Sequence, residues 1–66
     1  MTEEIMEKLP EVAVEMIKEL RADAKHSPVY RDHYICRGLG YIEALKDVGK
    51  ITECERYLLA RYILTA

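Results

Sequence analysis

One stretch decides the fold of this chain: Val48-Gly49-Lys50-Ile51-Thr52-Glu53-Cys54-Glu55. Gly49 follows an apolar helical pattern, at the position where a left-handed C-terminal cap favours glycine. Thr52 and Glu55 have the spacing of a capping box, in which a hydroxyl and a carboxylate each accept a free backbone N–H. One helix therefore ends near residue 48, and the next is predicted over 53–64. Because the connection is short, we expect the two helices to form an antiparallel hairpin.

The helix before this turn is predicted over residues 28–48, with Ser27 as its cap and Pro28 at its first position. Its apolar arc contains Tyr30, Tyr34, Ile35, Leu39, Tyr41, Ile42, Leu45 and Val48. Gly38 lies in the middle of this arc. A glycine inside a helix costs about 1 kcal/mol of helix propensity, so a close crossing with another helix would explain it. A break at residues 38–40 is the alternative.

A first amphipathic helix is predicted over residues 3–25. Its apolar face contains Ile5, Met6, Leu9, Val12, Ala13, Met16, Ile17, Leu20 and Ala24. Pro10 either kinks or breaks this helix. Because the apolar face keeps its phase across Pro10, we favour a kink or two closely apposed segments. The sequence thus predicts one all-α domain over 1–66, with three helices and a C-terminal antiparallel hairpin.

Composition places the chain among small folded proteins. It has 66 residues, half of them hydrophobic, and a net charge of −2 from ten basic and twelve acidic side chains. Without a basic excess, general nucleic-acid binding is disfavoured. An acidic beginning without a long apolar run argues against a signal or membrane span, so we expect a cytoplasmic protein whose two cysteines are reduced.

The last helix is apolar on nearly all sides, which indicates that it is covered on nearly all sides. Two short partner helices leave part of it uncovered, and a second copy of the chain is the simplest cover. We therefore expect a self-associating protein-interaction module, a dimer or a complex with another protein. Its expected interface consists of Leu59, Tyr62 and Ile63.

Metal and catalytic sites are not predicted. His33 and Cys36 have a spacing suited to two ligands on one helix face, and His26 and Cys54 would complete a zinc site. The chain has no C-x-x-C pair, however, and single thiols commonly act as small hydrophobic residues. A nucleophilic pair of Cys36 and His33 lacks pocket-forming loops and a glycine-rich cradle. We predict no metal, no cofactor, no disulfide and no enzymatic activity.

The alternative function is a small nucleic-acid-associated regulator that uses segment 25–37. This segment mixes basic and aromatic residues, as single-strand binding surfaces do, and its candidate contacts are Lys25, Arg31, His33 and Arg37. The simpler interpretation, which we favour, places Tyr30 and Tyr34 in the core and the arginines on an ordinary surface. A DNA-reading helix-turn-helix is disfavoured because the last helix opens with Glu53 and Glu55.

The C-terminal third of the chain resembles the short C-terminal hairpin domain called SHOCT. Residues 42–64 carry the resemblance, through the leucine spacing, the run Gly49-Lys50-Ile51-Thr52, the acids that follow and Tyr57. The aromatic residue stands two places after Glu55, which departs from the family's order. The resemblance implies a role in oligomerisation and protein association. In length and hairpin style the chain is also similar to small bacteriophage and prophage proteins.

Overall fold

The protein is all-α, as its sequence predicts, and a computed structural model describes residues Thr2–Ala66 as four helices. They are α1 (Thr2–Glu7), α2 (Glu11–His26), α3 (Arg31–Asp47) and α4 (Glu53–Leu64). None of these described helices is long and apolar enough to cross a membrane. Helix α2 packs against α3, α3 packs against α4, and α1 lies on α4.

Pro10 breaks the first predicted helix rather than kinking it. Its backbone is extended, with φ −57° and ψ 148°, and a proline lacks the N–H that a continuous helix would need. The apolar face nevertheless continues across the break, because Ile5, Leu9 and Ala13 are all buried. The segment predicted as one helix over 3–25 is therefore two helices in phase, which raises the helix count of the described chain from three to four.

The connection between α2 and α3 differs from its prediction. Ser27 caps the C-terminus of α2, and its carbonyl accepts the backbone N–H of Tyr30 at 3.1 Å. Residues 28–30 form a turn, so α3 begins at Arg31 instead of Pro28. One consequence is that Tyr30, assigned to the core by its spacing, is exposed.

The turn between α3 and α4 is the predicted one. Gly49 has φ +79°, and its N–H bonds to the carbonyl of Lys46 at 3.0 Å. The next N–H, of Lys50, reaches the carbonyl of Leu45 at 2.9 Å, which completes a Schellman cap. Both capping-box hydrogen bonds between Thr52 and Glu55 are present. As predicted, α4 runs from Glu53 to Leu64.

The core lies between the helices and consists almost entirely of aliphatic side chains. Its fully buried members are Ile17 of α2, Ile42 of α3, and Leu59 and Ile63 of α4. Gly38 is buried where α3 crosses α4, and α3 continues through residues 38–40 without interruption. The expected close crossing at Gly38 is therefore confirmed, and the alternative of a break is wrong.

Candidate protein interface

The expected interface on α4 does not lie on the surface. Leu59 and Ile63 have 0% of their surface exposed, so their assignment to an interface is wrong. Helix α1, split off by Pro10, covers part of α4 that a three-helix arrangement leaves open. Tyr62 is half-buried: the Arg21 guanidinium lies 4.3 Å from its ring centroid, and Arg21 Nε donates to its carbonyl at 2.9 Å.

The four basic residues of the nucleic-acid alternative do not form one patch. Arg31 donates to the carbonyl oxygens of Leu64 at 3.1 Å and Ala66 at 3.3 Å, which commits its side chain to the end of α4. His33, two residues later, lies on nearly the opposite side of α3, because successive residues turn by about 100°. Lys25 and Arg37 are exposed on different helices. The structure adds nothing that favours this alternative.

The two cysteines lie on different helices. Cys36 is exposed on α3, Cys54 is exposed on α4, and both are free thiols. Within Thr2–Ala66, no three histidine, cysteine, aspartate or glutamate side chains are grouped so as to hold a metal ion. His33 instead makes an edge contact with the ring of Tyr34, at a centroid distance of 5.5 Å.

Charged side chains bridge the seam between α3 and α4. Arg56 pairs with Glu53 at 2.7 Å and with Glu43 at 3.7 Å. Lys46 reaches Glu53 at 3.4 Å. The hydrogen bond from Arg56 is the main cause that lowers the pKa of Glu53. The outside of the α3–α4 seam is therefore polar and suited to contact with water.

The seam between α2 and α4 is covered in part by α1. Lys8, just after α1, forms an ion pair with Glu55 of the capping box, and hydrogen bonding by Lys8 lowers the pKa of Glu55. An open groove of about 520 Å³ remains beside α1. Its lining mixes charged and apolar residues: Thr2, Glu3, Met6, Glu7, Val14, Lys18 and Tyr62.

The seam between α2 and α3 has a different chemistry. Among the described residues, no side-chain hydrogen bond or ion pair joins α2 to α3, whereas several join α4 or its capping box to the rest of the chain. Helices α2 and α3 therefore pack through apolar contacts. Arg21 faces α4 from one flank of α2, and Glu43 and Lys46 face α4 from one flank of α3. The opposite flanks of both helices meet along the outside of the α2–α3 seam.

Successive residues of a helix turn by about 100°, which identifies the side chains on these opposite flanks. We call this set of side chains the α2–α3 stripe. Its members are Val12, Met16, Glu19 and Asp23 on α2, Tyr34, Arg37, Tyr41 and Ala44 on α3, and Val48 just after α3. Val12 and Val48 are each 68% exposed, while Met16, Tyr34 and Tyr41 are half-buried. No described helix covers the stripe, since α1 and α4 lie on other sides of the seam.

Sequence reasoning assigns Val12 and Val48 to the core because each falls at the edge of a wide apolar arc. The spacing gives no warning of their exposure. Tyr34, Tyr41 and Val48 are seven residues apart, which is a spacing that a core face and an interface face of a helix share.

Comparisons of the chain with known protein families, with curated proteins and with solved structures find no match. The resemblance of residues 42–64 to the SHOCT hairpin stays a prediction, and so does the likeness in type to small phage proteins. The functional proposal accordingly depends on the geometry of the chain itself.

Proposed function

We propose that this chain is a small protein-association module without catalytic activity, and that it binds a second copy of itself. The observation that carries the proposal is the uncovered α2–α3 stripe. Val12 and Val48 are aliphatic residues that each leave about two thirds of their surface in water. Half-buried Met16 and Tyr41 extend this apolar surface along the seam. Contiguous apolar surface of this kind is a common mark of a protein interface.

The size of the chain supports the proposal. A domain of 66 residues buries only about 60% of the surface that its unfolded chain exposes. Domains of this size commonly gain stability from a disulfide, a metal or a second subunit, and the cysteines here are free. Burial of the stripe against a second copy would supply part of that stability.

The composition of the stripe also suits association. Tyrosine and methionine are enriched at protein interfaces, because they offer a large apolar area and adapt to a partner's shape. Free, exposed cysteines suit a reducing compartment, so we place the module in the cytoplasm. A phage or prophage origin is part of the proposal on the likeness of type alone.

The proposal is tested by the molar mass in solution, measured by light scattering over a concentration series. The wild-type protein is expected to approach twice its monomer mass as its concentration rises. Val12→Glu and Val48→Glu place a carboxylate in the stripe and are expected to give folded monomers. Tyr57→Glu is the matched control, because Tyr57 is also an exposed apolar side chain but lies on the outer face of α4.

Each variant is first checked for wild-type helicity and a cooperative melt. A wild-type protein that stays monomeric at high micromolar concentration overturns the proposed self-association. Dissociation by Tyr57→Glu, with Val12→Glu still dimeric, would instead move the interface to α4 and overturn the assignment to the stripe.

A further inference from the structure

The position of each side chain along the α2–α3 seam follows from the turn that joins the two helices. Both helices rise by about 1.5 Å per residue, so residues equally distant from the turn at 27–30 lie level with each other. This places Asp23 level with Tyr34 and Met16 level with Tyr41. The same rule holds at the α3–α4 turn, where Glu43 pairs with Arg56 and Gly38 meets Ile63.

The α2–α3 stripe is divided along its length. At the end far from the 27–30 turn, both helices are apolar, with Val12 and Met16 on α2, and with Tyr41 and, just beyond the end of α3, Val48. At the end near the turn, α2 is acidic through Glu19 and Asp23, while α3 offers a cation, Arg37, and the hydroxyl of Tyr34. Within Thr2–Ala66, neither acid nor Arg37 makes an ion pair. These charges are therefore available to a partner.

A second copy can face this stripe about two different two-fold axes. A two-fold axis parallel to the helices leaves each residue at the same height along the helix pair. It places α2 of each copy on α3 of the other copy. A two-fold axis perpendicular to the helices exchanges the two ends of the stripe. It places α2 of each copy on α2 of the other copy. That second arrangement would bury Val12 against Asp23 and Met16 against Glu19 of the second copy, which leaves carboxylates against apolar groups.

Only the axis parallel to the helices sets apolar side chains against apolar ones and acidic side chains against a basic one. It sets Met16 against Tyr41 of the second copy, and Val12 within about one helical turn of the second copy's Val48. It also brings Glu19 and Asp23 of each α2 to Arg37 of the other copy's α3, twice in the dimer. About either axis, all four neighbouring pairs of helices are antiparallel, as in a four-helix bundle. The match of apolar and charged side chains therefore decides between the two axes.

We propose that two copies associate about an axis parallel to α2 and α3, as a four-helix bundle whose register is set by Glu19 and Asp23 of one copy against Arg37 of the other. This inference rests on the proposed function and adds the arrangement and the residues that specify it. Opposite charges at these positions favour the matched register and oppose the reversed one.

A pair of complementary charge reversals tests the arrangement. One variant is the double substitution Glu19→Lys with Asp23→Lys, which makes the acidic side of the contact basic. The other variant, Arg37→Glu, makes the basic side acidic. Each variant alone sets like charges against each other in both symmetry-related contacts, so its self-association is expected to weaken on the order of tenfold or more. An equimolar mixture restores opposite charges in both halves and is expected to form a heterodimer near wild-type affinity.

Light scattering of each variant and of the mixture distinguishes the outcomes, with thermal melts to confirm that each variant is folded. Rescue in the mixture supports the parallel axis. Charge variants that self-associate as tightly as the wild type, while Val12→Glu is monomeric, overturn the arrangement but keep the proposed function. A wild-type protein that is itself monomeric removes both.

Discussion

Gly38 of α3 lies so close to Ile63 of α4 that a Cβ atom on Gly38 would be 3.2 Å from both Cδ1 and Cγ2 of Ile63. Ile63 has no exposed surface, so its side chain cannot turn into solvent. Gly40 belongs to the same helix, yet no atom lies within 4 Å of the position its Cβ would take. Helix α3 therefore carries two glycines in opposite environments.

Alanine at these two glycines is predicted to have different effects. Gly40→Ala gains helix propensity without a clash, so it should raise the free energy of unfolding by about 0.5–1 kcal/mol. Gly38→Ala makes the same gain but must displace Ile63, and overpacking of a core costs roughly 1–3 kcal/mol. Urea denaturation should therefore show Gly38→Ala at or below wild-type stability. Equal stabilisation by both would contradict a tight α3–α4 crossing.

Gly49 is predicted to be the most sensitive position of the hairpin turn, for a reason of backbone conformation. Its φ of +79° is left-handed, and the space around its Cβ position is empty, so only strain opposes a side chain there. Gly49→Ala should lower the free energy of unfolding by about 1 kcal/mol. Gly49→Asn should lose less, because asparagine tolerates this conformation. The same urea series measures both, and an unchanged Gly49→Ala would contradict the cap.

The α3–α4 hairpin could be predicted from sequence because its signals are local. The capping box joins residues three apart, and the Schellman cap closes within six residues, so neither depends on the rest of the fold. Gly38 was also informative, because a residue without a side chain in the middle of an apolar arc lets another helix approach closely. The turn, the bounds of α4 and the crossing at Gly38 are as predicted, whereas the start of α3 is not.

The elements that sequence reasoning missed depend on contacts between distant residues. Nothing near Leu59 or Ile63 shows that α1 will fold back over α4 and complete their cover. Ser27 and Pro28 form an acceptable helix start, but the structure uses Ser27 to end α2. Arg31 reaches the carbonyls at the end of α4, more than thirty residues away. These features depend on how distant parts of the chain pack together, and local helix propensity carries no information about such packing.

Stability is predicted to fall in acid partly through Glu55. A hydrogen bond from Lys8, and next the backbone N–H of Thr52, lower the pKa of Glu55. A carboxyl with a lowered folded-state pKa stabilises the fold above its unfolded pKa, about 4.3. That stabilisation is lost as pH falls through the folded-state value. Glu55→Gln should therefore melt earlier at neutral pH and lose less stability on acidification.

The measurement is the melting temperature from about pH 7 to about pH 3, for the wild type and Glu55→Gln. Glu15→Gln serves as the control, because Glu15 is exposed on α2 and makes no ion pair among the described residues. A Glu55→Gln protein that loses as much stability in acid as the Glu15→Gln protein would remove Glu55 as a cause of the acid sensitivity.

Leu59→Glu is predicted to unfold the protein rather than to yield a folded monomer. Leu59 has no exposed surface, so the new carboxylate would be buried among aliphatic groups without a partner. Such burial costs several kcal/mol, a large share of the roughly 5–15 kcal/mol that holds a domain together. Val12→Glu, on the exposed stripe, should keep its helicity and its cooperative melt. Circular dichroism against temperature separates the two. If Leu59→Glu melted like the wild type, Leu59 would have to lie on the surface, and the α4 interface expected from sequence would stand again.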